Sequence, residues 1–172
     1  MDFFKAIEAR HSYRGAFEDT VVPDADLIKI VDAGIRAPSG CNAQTTSFMV
    51  VTNPALRGKI AEIFDHSEIL TTAPAIIVAY TKKVTFDFGL DFELEDYGAA
   101  IENILLAATA MGYASLWLDG GTRLGGTDTA LAKLLDIPVD MQVRTVMPIG
   151  VPKNPGMQAP RKAFDERVVW KR

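Results

Sequence analysis

Residues 96–121 read DYGAAIENILLAATAMGYASLWLDGG, an alanine-rich run that stops at a glycine and gives way to a short apolar stretch. Ile101, Ile104, Leu105, Ala108 and Met111 recur at helical spacing, so a long helix is predicted from about Glu95 to Met111, with Gly112 as its stop. The alanines beside this stripe let neighbours approach closely, as in a central helix packed on several elements. ASLWL, 114–118, is then a strand, and the pair sets the frame for the rest of the chain.

Outward from this pair, strand and helix patterns alternate. PAIIVAY, 74–80, is a continuous apolar run and reads as a buried strand. Phe48–Val51 reads the same way, buried on both faces, and Asn53-Pro54 opens a helix carrying Leu56, Ile60 and Ile63. Asp24–Arg36 has Leu27, Ile28, Val31 and Ile35 at helical spacing and ends before Pro38; Asp2 caps a first helix that ends near Arg10. Downstream, Thr127 and Asp128 cap a helix through Leu135, and Val143–Ile149 forms a last strand. The tail beyond Pro152 is rich in Pro, Lys and Arg until Val168, Val169 and Trp170, which are apolar enough to join a sheet, its own or that of a second copy. One α+β domain over residues 1–172 is the expectation, without repeats or a flexible linker.

Composition narrows the chemistry. The 172 residues are 48% hydrophobic and 23% charged, with a net charge of -4. Such a balance belongs to a globular protein and argues against a nucleic-acid partner, which needs a concentrated basic surface. The single cysteine, Cys41, has no partner for a disulfide, and two histidines with no cysteine cluster are too few for a zinc or iron-sulfur site. A reducing cytoplasm fits this usage. No signal-peptide core or membrane-length apolar run is visible.

Neither GxGxxG nor GxxxxGK[ST] is present, and GGTRLGG at 120–126 reads as a flexible turn. His11 and His66 lack the Ser or Cys pattern of an acyl-transfer triad, and Cys41 reads as a packing residue. RHSYR at 10–14 is more informative. Arg10, Ser12 and Arg14 alternate after a helix, so in an extended segment they share one side and suit a phosphate or a carbonyl-rich ring. By itself the segment reads first as arginines that meet a helix carbonyl end and surface carboxylates. APSGCNAQ, 37–44, is small and amide-bearing, either a turn or a surface for a flat polar ligand.

Together, these two segments resemble the flavin-dependent nitroreductase family, in which an R-x-S-x-[RK] segment follows the first helix and a PSx-x-N-x-Q loop follows the second. The stretch at 96–121, and VRTVMPIGVP with its Pro-Arg tail, extend the resemblance over nearly the whole chain. It implies a three-layer fold with a mixed central sheet wrapped by helices, forming an FMN-binding homodimer with exchanged C-terminal tails. By the same resemblance Arg10, His11, Ser12, Arg14 and Arg161 would hold the phosphate and a ring edge. Pro38, Ser39, Gly40 and Asn42 would reach in from the partner subunit, and His66 would lie at the site. Trp117, Leu118, Asp119 and Gly120 would lie against the flavin ring, a backbone N–H facing N5.

The implied activity is FMN-dependent, with NADH or NADPH as reductant, ping-pong exchange through flavin N5, and a nitroaromatic, quinone or activated alkene as the small-molecule acceptor. FMN does the chemistry, so no catalytic side chain is assigned. The alternative is a flavin-binding or FMN-storage protein with little turnover. The chain departs from the family at Thr45 and Thr46, where relatives have Pro-Trp, and at His66, Ile69 and Ala159, where they carry Asn, Lys and a tail cation. The acidic, aromatic segment 85–98 reads either as a roof over the flavin or as a solvated connection with its aromatics tucked onto the core.

Overall fold

The computed structural model describes residues 1–172. Four strands form one sheet in the order β1-β2-β4-β3: β1 (Thr46–Val51), β2 (Ala75–Thr81), β3 (Ala114–Ser115) and β4 (Gln142–Gly150). All three ladders are antiparallel. The parallel component expected of a mixed sheet is a single bridge, Ser12 to Ser115, reinforced by the Tyr13 N–H donating to Ser115 O at 3.0 Å. RHSYR thereby runs along the outer edge of β3.

Helices cover both faces. On one lie α2 (Asp24–Ile35) and α5 (Glu93–Ala110), where Leu27, Ile30, Ile101 and Ile104 meet Ile77, Ala79, Met147 and Ile149. On the other lie α3 (Pro54–Ile63), the single turn α4 (Glu68–Thr71) and α7 (Thr127–Leu134), where Ile60, Leu70 and Leu131 meet Ile76, Val78, Val143 and Val146. The period-two alternation of β2 feeds both cores. Helix starts follow local chemistry: the Leu56 N–H donates to Asn53 Oδ1 at 3.0 Å, and the Lys5 N–H to Asp2 Oδ1 at the head of α1 (Phe3–Ala9). No helix is long and apolar enough to cross a membrane.

Several expectations change. β1 is an edge strand rather than one buried on both faces, and Val50 is 41% exposed, because no strand lies beyond it. The strand expected at 114–118 keeps its register against β4, from Ala114 opposite Gly150 to a bridge between Leu118 and Val146, but its ladder breaks between them. Pro148 falls opposite Leu116 in that register and has no N–H to give. GGTRLGG is not merely a flexible turn: Asp119–Arg123 forms the short helix α6, and only Gly125 and Gly126 take positive φ. The tail after Pro152 forms no strand in its own sheet, and Val169 and Trp170 stand exposed.

Candidate functional site

Three groups of residues surround α5. The first is RHSYR on the β3 edge. Tyr13 is buried, its hydroxyl donating to Ala16 O, so Ser12 and Arg14 on the alternate positions face out. Arg10 turns instead to α5, its Nε 3.0 Å from Glu102 Oε1. Arg14 donates only to Ser12 O at 3.3 Å. The start of the tail closes over this edge: Gln158 Nε2 donates to Ile7 O and Arg10 O, and a Cβ on Gly156 would fall 2.0 Å from His11 Nε2. Arg161, three residues on, is exposed and donates only to Ala159 O at 3.2 Å.

The second group is Trp117–Gly120. Trp117 packs edge-on against Tyr97 of α5, ring centroids 5.8 Å apart. The Tyr97 hydroxyl donates to Asp119 Oδ1 at 2.8 Å, and Arg123 pairs with the other carboxylate oxygen at 2.8 Å. Burial, and then the bond to Asp119, push the Tyr97 phenol up to about 12. The Leu118 N–H donates to Val146 O, pinning this segment to the sheet just before Asp119 and Gly120 start α6.

The loop 37–45 is the third group. Gly40–Asn42 is a 3-10 turn, and Cys41, Asn42 and Gln44 all have positive φ, at 50°, 55° and 50°. Such backbone is costly for residues with a Cβ and persists only where surroundings enforce it. Here the Gln44 N–H donates to Ser39 Oγ at 3.0 Å, while the Gly40 N–H and the Thr45 hydroxyl donate to the two oxygens of Asp96, each at 2.7 Å. A Cβ on Gly40 would lie 2.3 Å from the Phe92 ring, so this position admits glycine alone without a shift. Pro38 and Asn42 remain on the outer surface.

The first two groups adjoin, since Ser115 and Trp117 belong to one chain segment and both groups flank α5. The loop does not join them within one chain; its hydrogen bonds run to the first turn of α5 and not to RHSYR. His66 is exposed at the end of α3 and hydrogen-bonds through its backbone N–H to Ala61 O, while Phe64 two residues earlier packs beside Gly121 of α6. Ile69 is buried in the core. In segment 85–92, Phe92 packs over Gly40, Phe86 and Phe88 stack at 5.3 Å with Phe88 61% exposed, and Lys83 pairs with Asp91 at 3.0 Å. Tyr97, Glu102 and Asp96 escaped the sequence reading. Their signal was a tyrosine and two carboxylates on one predicted helix, without partners close in sequence to mark them.

Buried side-chain polar atoms without a hydrogen-bond partner are spread over the fold: His11 Nε2 beneath the tail at Gly156 and Ser115 Oγ on β3, but also atoms of Thr46, Ser67 and Glu93. Trp117 Nε1 faces the Tyr97 hydroxyl.

Sequence comparison matches the nitroreductase family over residues 7–67 and 64–151. A protein of Archaeoglobus fulgidus provisionally named NADH dehydrogenase/NAD(P)H nitroreductase is 36% identical over 150 residues, covering 87% of this chain and 85% of that protein. Among solved structures, a nitroreductase family protein from Clostridium novyi is 31% identical, with a TM-score of 0.77 over 89% of this chain and 88% of that one. The NADPH:FMN oxidoreductase of Vibrio harveyi, solved with NAD+, shares the fold at a TM-score of 0.83 with 22% identity, over 99% of this chain and 77% of that one. With most of its length matched, and with RHSYR, the 37–45 loop and Trp117–Gly120 arranged around one helix, this chain belongs to the nitroreductase family of oxidoreductases.

Proposed function

We propose that the chain is a single FMN-binding domain acting as an NAD(P)H oxidoreductase, with the flavin seated where RHSYR, Trp117–Gly120 and the start of the tail converge. The observation that carries this reading is the outward face of RHSYR, where Ser12 and Arg14 stand exposed on the edge of the strand segment that leads into Trp117–Gly120. An extended edge with a hydroxyl and a guanidinium on one side suits an anionic, oxygen-rich ligand. The donor set fits the group: Arg14 and Arg161 have only weak backbone acceptors and are free to take a dianionic phosphate.

When bound, flavin supplies hydride acceptance and donation at N5. The protein's own residues bind and orient. Arg14 and Arg161 hold the phosphate. Arg10, oriented on α5 through its Nε pair with Glu102, joins them at the phosphate with its remaining guanidinium nitrogens. Trp117, Leu118, Asp119 and Gly120 form the floor, and the Tyr97–Asp119–Arg123 chain holds Asp119 in a single orientation. Ser39, Gly40 and Asn42 complete the site from a partner subunit, which accounts for the loop's lack of bonds to RHSYR in its own chain. NADH or NADPH and the acceptor, a nitroaromatic, quinone or activated alkene, use the open face in turn.

The test is the absorption spectrum of freshly purified protein between 350 and 500 nm, before and after anaerobic addition of NADPH or NADH. A flavin spectrum that bleaches is the expected result. A flavin spectrum that neither nucleotide bleaches would convert the reading to an FMN carrier, and a colourless protein that takes up no FMN would end it.

A further inference from the structure

Asp96 is 5% exposed and lies in the first turn of α5, where the positive end of the helix dipole and two donors take the place of water around its carboxylate. Both donors come from the loop: the Gly40 N–H to Oδ1 and the Thr45 hydroxyl to Oδ2, each at 2.7 Å. Between them sit the three left-handed residues Cys41, Asn42 and Gln44. Phe92, one helical turn before Asp96, fills the space over Gly40. One turn of helix therefore grips the loop near each end and from above, while the loop's outer side, with Pro38 and Asn42, remains free.

We propose that Asp96 is a positioning residue for the flavin site of the neighbouring subunit, acting through the Gly40 amide and the Thr45 hydroxyl to hold the loop in its left-handed shape. This rests on the FMN reading above, and it adds a role for Thr45 through its hydroxyl. Bonds to a buried carboxylate are among the stronger hydrogen bonds in proteins, and their loss leaves a buried acceptor unmet. Without the clamp the loop relaxes from its strained φ values, and Ser39, Gly40 and Asn42 are no longer presented at a fixed height. Asp96 touches no ligand itself.

Two variants and two readouts test this. Asp96→Ala removes both acceptor oxygens; Thr45→Val removes only the hydroxyl. The first readout, on flavin-free protein, is hydrogen exchange at the Gly40 amide, which is expected to speed up in Asp96→Ala. The second is FMN affinity by fluorescence titration at a temperature well below both thermal midpoints, expected to weaken at least about tenfold in Asp96→Ala and in the same direction in Thr45→Val, with dimer content held. Unchanged exchange at Gly40 would overturn the clamp. Faster exchange with unaltered FMN affinity would overturn the link to the flavin, as would an affinity loss that merely tracks a fall in thermal midpoint. If wild-type protein bound no FMN, the flavin reading would fail and take the positioning role with it, while the exchange data would still say whether the clamp exists.

Discussion

Tyr97 shows how a single side chain can tie a helix to a turn. Its hydroxyl reaches Asp119, 22 residues away, and its ring braces Trp117. With its phenol pushed to about 12 from an ordinary value near 10, the folded chain keeps this proton longer than the unfolded chain does. Between those two pH values the unfolded state binds fewer protons, so Tyr97 leaves stability unchanged below pH 10 and lowers it as pH rises toward 12. Urea midpoints across that window should fall more steeply in wild type than in Tyr97→Phe; equal slopes would assign the decline to other groups. Sequence reading marked Trp117 and Asp119 through a motif but passed over Tyr97. The same holds for Asp96, whose partners lie 56 and 51 residues away. A pairing of that kind is made by the fold, and no local pattern announces it.

At the scale of elements, the sequence spoke clearly wherever a periodic pattern ran for several turns, as in α2 and α5, and less clearly in short pieces. α4 is a single turn, too brief for any period to register. β3 stopped early because of a residue on another strand, Pro148, which apolar patterning in 114–118 cannot reveal. The β4 end holds a further case. A bulge opposite Ala79 and Tyr80 shifts the alternation, so that Arg144 donates to Thr81 Oγ1 at 2.9 Å and pairs with Glu93 in the layer of α5. Both side chains are nearly buried, 11% and 8% exposed. Arg144→Ala would leave the Glu93 carboxylate buried without its cation, and a loss of about 3–5 kcal/mol is expected. Chemical denaturation measures it, and the double variant Arg144→Ala/Glu93→Ala should lose less than the two single losses combined. Strict additivity would mean that the pair contributes nothing as a pair.

For the molecule as a whole, the tail and the β1 edge are the incomplete parts. Phe164, Val169 and Trp170 are 65%, 77% and 66% exposed, and Ile28, Ile35 and Val50 line an apolar groove between α2 and the sheet edge. Large apolar surface on both sides of one chain is the expected signature of pairing with a second copy. Wild type is expected to sediment as a dimer, and a chain ended after Pro160 to shift toward monomer and lose FMN; a truncated dimer with full FMN binding would remove the tail from both roles. The sequence carried the apolar ending Val168–Trp170 plainly. Whether it serves its own sheet or another is a question of topology, and only the path of the tail, which forms no strand against either edge of its own sheet, excluded the first option.

The three groups around α5 hang from different sides of it: Phe92 and Asp96 toward the loop, Tyr97 toward Trp117, and Glu102 toward Arg10. Glu102 lies six residues beyond Asp96, about 9 Å along the axis and about 240° around it. Exchanging one of these side chains removes its own contact and leaves the angular spacing of the others unchanged. Inserting or deleting one residue between Asp96 and Glu102 would turn everything downstream by about 100° and pull Glu102 away from Arg10. Relatives that keep this site are therefore free to differ in length over the neighbouring 82–91, but the number of residues between Asp96 and Glu102 is fixed.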